Sequence, residues 1–106
     1  METSEKLFYS IGEKLSKQNK DVSIGKMMSS PGIKFKDKVF AFYYREQMVF
    51  KLGRNFDPAS IGIGNFSLLS PFKTKPPLAD WFEIPAEYNN RWEELAIVAM
   101  NKISNG

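Results

Sequence analysis

From Ile33 to Leu52 the chain carries three short strand-like runs, and the gaps between them are only long enough to turn. In "IKFKD", Ile33 and Phe35 oppose Lys34 and Lys36, which predicts a strand with one wet face. "VFAFYY", residues 39 to 44, is apolar on both faces and reads as a central strand. "QMVFKL" follows, with Met48, Phe50 and Leu52 on one side and Val49 and Lys51 on the other. Parallel pairing would need a crossover of about a dozen residues, and the turns at Asp37-Lys38 and Arg45-Glu46-Gln47 leave no room for one. The three strands are therefore expected to form an antiparallel meander.

A meander with one apolar face needs a second layer, and both ends of the chain offer one. Leu7, Phe8, Ile11 and Leu15 recur at helical spacing and predict an amphipathic helix over residues 4 to 18, capped by Thr3 or Ser4. Gly12 lies inside it at a cost of about 1 kcal/mol relative to alanine, which we read as tolerance rather than close packing. Near the other end, Tyr88, Trp92, Leu95, Ala96, Ala99 and Ile103 share one stripe of a closing helix that starts after Pro85, while Ile97 projects to the opposite side.

Between the meander and that helix, "FDPASIG" predicts a single helical turn with Asp57 as N-cap and Pro58 in first position. A short strand is expected around Phe66 to Leu69, "KTKPP" is expected as an extended loop, and "DWFEI" as a last strand ended by Pro85. The expectation is one domain, residues 1–106, with a two-layer α+β fold in the order α-β-β-β-(short α)-β-β-α. N- and C-terminal helices would pack on an antiparallel sheet of about five strands. A content of 42% hydrophobic and 25% charged residues supports a folded chain rather than a disordered one.

The absence of histidine and cysteine narrows the chemistry sharply. Ser-His-Asp and Cys-His catalysis, nitrogen- and sulfur-ligated zinc and a disulfide framework are all excluded. Carboxylates remain, as Asp80 with Glu83 or Glu93 with Glu94, and we read these as solubilising charges rather than a hydrolytic pair. No catalytic residue, metal or cofactor is therefore expected, and a carboxylate-dependent enzyme is the least favoured reading. The first residues lack a signal-peptide pattern and no apolar run is long enough for a membrane span, so a soluble cytoplasmic protein is expected.

The net charge of +3 is unevenly placed, with eight basic and three acidic residues between positions 20 and 54. Lys34, Lys36 and Lys51 are candidates to share a wet sheet face and meet an anion, although strand lysines also discourage edge aggregation. "KVFAFYYR" resembles the aromatic strand motif of RNA-recognition modules, but Val39 replaces its glycine and Arg45 its last aromatic. We expect Phe40 and Phe42 to fill the core, with Tyr44 at its rim. "GIGNFS" has two of the three glycines of a dinucleotide fingerprint, with Ser67 in place of the third and no flanking strand and helix, and is expected to be a loop.

"GKMMSSPGIKFKDKVFAFYYREQMVFKLG", "PPLADWFEIP" and "RWEELAIVAM", in that order, resemble the TfoX N-terminal domain family of small bacterial proteins and domains, some of them linked to competence regulation. The first run is similar to the family's Gly-x-Met-Phe-Gly and the meander after it, with Phe-Ala in one strand and a Lys-Leu ending. The other two are similar to its Pro-Met-x-x-Trp strand and closing helix. The resemblance covers residues 24 to 103 and implies a stand-alone member without the family's helical C-terminal domain. It implies a two-layer α+β fold and a regulatory or protein-interaction module with no known catalytic residue.

On that reading the loop "KMMSSPG" is the first candidate for partner binding, through Lys26, Met28, Ser29 and Ser30, with Met27 kept for the core. The expected partner is a protein of unspecified identity, with weak nucleic-acid binding by the basic sheet face as the alternative. Either a monomer or a homodimer is compatible, the dimer being suggested by outward-facing Ile97 and Tyr9. The classes differ in what they should expose. An enzyme needs converging carboxylates, a nucleic-acid binder needs lysines and bare rings on one face, and an adaptor needs an apolar patch without either.

Overall fold

The computed structural model describes residues 4–27, 30–53, 55–69 and 78–105. Helix α1 (Ser4–Gln18) leads into β1 (Val22–Met27) and β2 (Ser30–Phe35), and the meander continues with β3 (Lys38–Tyr44) and β4 (Gln47–Lys51). A 3-10 turn (Pro58–Ile61) precedes β5 (Ser67–Leu69) and β6 (Leu78–Ile84), and a second 3-10 turn (Ala86–Arg91) runs into helix α2 (Trp92–Asn105). The six strands form one sheet in the order β1-β2-β3-β4-β6-β5, with every neighbouring pair antiparallel. This is the expected α+β order. The added strand is β1, whose "VSIGKM" alternates too weakly to announce itself and is held by its pairing with β2.

Both helices cover the same face of the sheet. Phe8, Ile11 and Leu15 of α1 and Trp92, Leu95, Ala96 and Ala99 of α2 join Val22, Ile33, Met48, Phe50, Phe82 and Ile84 in a single buried core. The Trp92 indole N–H donates to the Ile84 carbonyl at 3.2 Å, so the largest core side chain also pins the start of α2 to the end of β6. At the other turn, Asp57 accepts from the Ala59 N–H at 3.1 Å and Pro58 takes the first position, as the sequence suggests.

Four expectations need correction. Gly12 is buried, and a Cβ there would lie 3.1 Å from Ile24 Cδ1 and Cγ1 and 3.5 Å from Ile33 Cγ1, so close packing rather than tolerance explains it. Tyr88 lies outside α2, with non-helical backbone at φ −108°, ψ 25°, and reaches the core from the 3-10 turn. Ile97 packs against the core instead of facing solvent. It sits one turn beyond Glu93, whose carboxylate meets Lys14 of α1 at 2.7 Å, so its side of α2 is the flank beside α1.

The fourth correction concerns the central strand. Phe40 and Phe42 are both fully buried, as expected, but in different places. The β2–β3 register runs from Ile33 opposite Ala41 to Lys34 opposite Val39, which leaves Phe40 as the extra residue of a β-bulge. Strict alternation would place Phe40 with Phe42 on the helix-free face. The bulge instead turns Phe40 into the helix-side core with Ala41, while Phe42 and Val49 form a separate small cluster with Val39, Tyr44 and Trp81.

Candidate functional site

Alternation along the strands assigns the helix-free face to Lys34 of β2, Val39, Phe42 and Tyr44 of β3, Gln47, Val49 and Lys51 of β4, and Trp81 and Glu83 of β6. Cross-strand pairing sets Phe42 opposite Val49, Val49 opposite Glu83 and Lys51 opposite Trp81. The Phe42 and Val49 side chains are closed to solvent and serve as a fixed floor, and the half-buried Trp81 and Tyr44 stand against it. The Phe42 and Trp81 ring centroids are 5.4 Å apart, and those of Phe42 and Tyr44 6.4 Å.

At the end of this face the β3–β4 turn is made by Arg45 and Glu46, both left-handed at φ 52° and 64°. That geometry matches the twist of the flanking strands and aims Arg45 back over Tyr44, 5.0 Å from its ring. Burial pushes the Glu83 carboxyl above its ordinary range, while Arg45 and a hydrogen bond from Gln47 pull the other way. Glu83 is thus a partly desolvated acid balanced by a neighbouring cation.

The three lysines nominated for anion binding do not act together. Lys34 lays its stem across Gly25, so close that a Cβ there would meet its Cε at 2.7 Å. It fills a groove in the sheet. Lys36 occupies the β2–β3 turn and Lys51 the end of β4, and these two line neighbouring cavities at one end of the central strands. One cavity, about 280 Å³, is bounded by Lys38, Lys51, Gly53, Asp80, Lys102 and Ile103. The other, about 320 Å³, is bounded by Phe35, Lys36, Asp37, Lys38, Ile103 and Ser104. Sequence reading missed Lys38 and Lys102, because only the docking of α2 brings the latter beside the sheet.

Of the proposed partner-binding loop, Lys26 is the penultimate residue of β1 and is exposed, and Ser30 opens β2 opposite Met27. Met28, Ser29 and the Met27 side chain lie outside the described residues, as do Thr3 and the "KTKPP" segment. Pro31 and Gly32 belong to β2, so what the sequence suggests is one long loop is largely a hairpin. The glycine loop is occupied by its own chain. The Tyr88 hydroxyl accepts from the Gly64 and Asn65 N–H groups at 3.2 and 3.1 Å, and the Asn65 side chain donates to Glu87 at 2.8 Å. Those backbone donors are not turned outward to a phosphate.

The carboxylate pairs do not converge. Asp80 lines the cavity beside Lys51 and Lys102, whereas Glu83 interacts with Arg45 and Gln47. Glu93 is paired with Lys14, and Glu94 with Arg91 one turn earlier, which holds the Glu94 carboxyl below its usual range. Among the described residues no group of three or more acidic side chains is placed to hold a metal ion, and no helix is long and apolar enough to cross a membrane. Compared with protein-family models, curated proteins and solved structures, the chain has no significant match.

Proposed function

We propose that the protein is a non-catalytic regulatory module that works by binding another protein on the helix-free face of its sheet. The observation that carries the reading is the pairing of a closed apolar floor, Phe42 and Val49, with half-exposed Trp81 and Tyr44 and an adjacent Arg45. Tryptophan, tyrosine and arginine are the residue types that dominate protein interfaces, and rings held by packing lose little freedom on binding. The residue runs similar to the TfoX N-terminal domain support a regulatory role in a bacterial cytoplasm as part of the same proposal. Nucleic-acid binding through stacked bases is the weaker reading, since Phe40 and Phe42 have no bare ring to offer.

The test is affinity capture from native lysate, with and without nuclease, comparing the wild type with Tyr44→Ala and Arg45→Glu. A nuclease-resistant protein partner, lost from both variants while their melting temperatures stay near wild type, supports the proposal. Loss of a central contact should weaken the complex about 30-fold or more. Capture undiminished by either substitution, or abolished by nuclease, refutes it.

A further inference from the structure

A second group of lysines gathers at one end of the sheet. Lys36, Lys38, Lys51 and Lys102 come from the β2–β3 turn, the start of β3, the end of β4 and the last turns of α2. They bound two cavities that share Lys38 and Ile103, with only Asp37 and Asp80 as opposing carboxylates. We propose that this end of the molecule binds a small phosphomonoester of nucleotide size, its phosphate among Lys38, Lys51 and Lys102 and its ring against Phe35 and Ile103.

Charge and shape both argue for this class. Lys38, Lys51 and Lys102, from three separate elements, line one cavity, and Lys36 with Lys38 lines its neighbour; lysine acts on phosphate as a point charge needing no fixed angle. Volumes of about 280 and 320 Å³ are each near the lower bound for small-molecule pockets, and together they suit a ligand with a charged part and a planar part. Phe35 and Ile103 supply the apolar wall, and the Asp37 carboxylate and Ser104 hydroxyl offer hydrogen bonds to sugar hydroxyls or ring amino groups. Free phosphate would satisfy only the first part.

The helix adds nothing to the attraction. α2 ends here, so its dipole presents a negative end, and Lys102, 5.9 Å from the Phe56 ring, partly serves to offset it. Binding must therefore rest on lysine charge and be strongly salt-dependent. This site lies at the opposite end of β3 from Tyr44 and Arg45. Lys51, the last residue of β4, borders both regions, but Lys38 and Lys102 belong to this end alone, so substitutions there test it separately from the protein-binding face.

Amide NMR titration of the full chain with AMP, inorganic phosphate and adenosine tests the proposal. AMP should saturate and shift amides at residues 36–38, 51–53 and 102–104, phosphate should bind more weakly, and adenosine should not bind. The double substitution Lys38→Gln with Lys102→Gln should weaken AMP at least about tenfold without lowering the melting temperature, since both side chains are exposed. Lys34→Gln should leave affinity unchanged. The idea is overturned by the absence of saturable AMP shifts at these amides at millimolar ligand, by shifts centred on Lys34, or by an equal loss in Lys34→Gln.

Discussion

Replacing Gly12 by alanine sets two effects of similar size against each other. In a helix interior alanine is favoured over glycine by about 0.8–1 kcal/mol. The added methyl would lie 3.1 Å from two atoms of Ile24, so that side chain must shift by a few tenths of an ångström. Ile24 sits on the edge strand and is 38% exposed, which lets its end move, at a cost of about 0.5–1.5 kcal/mol for leaving its preferred rotamer. The two nearly cancel, and Gly12→Ala alone should change stability by less than about 0.5 kcal/mol. In an Ile24→Ala background the obstruction is gone, and the same substitution should stabilise by about 1 kcal/mol, or about 4–8 °C in melting temperature for a domain of this size. Urea unfolding followed by circular dichroism on the four members of the cycle gives the coupling directly. If Gly12→Ala stabilises equally in both backgrounds, the helix does not approach β1 as closely as described, and the packing argument fails.

Glu46→Gly should stabilise the protein by about 0.5–1 kcal/mol in chemical denaturation, because glycine removes the steric cost of a left-handed residue at a small entropic loss. Trp92→Phe should destabilise by about 1–3 kcal/mol, losing core volume and leaving the Ile84 carbonyl without its indole donor. Glu83 is raised by burial above its ordinary 4.5, so the folded state holds this proton more tightly than the unfolded chain. Its contribution to stability is then present below about pH 4.5 and lost as pH rises through the folded value. Glu83→Gln should flatten that decline in urea midpoints measured from about pH 4 to about pH 7, whereas an unchanged slope would refute the assignment.

What the sequence determined by itself follows from local periodicity. The meander from β2 to β4, the extent of α1 and the Asp57-Pro58 turn are set by spacing, capping and the shortness of the connections, all of which act between residues near in the chain. The lack of histidine and cysteine restricted the chemistry in the same direct way. Tertiary structure decided the rest. The β-bulge that moves Phe40 into the core depends on the register against β2, β1 becomes a strand only through its partner, and Ile97 is covered because α1 lies beside α2. The lysine-rimmed cavities require Lys102, 64 positions beyond Lys38 in the sequence, to arrive at the same place. Such features are set by which surfaces meet, and that outcome depends on the whole hydrophobic core rather than on any one segment.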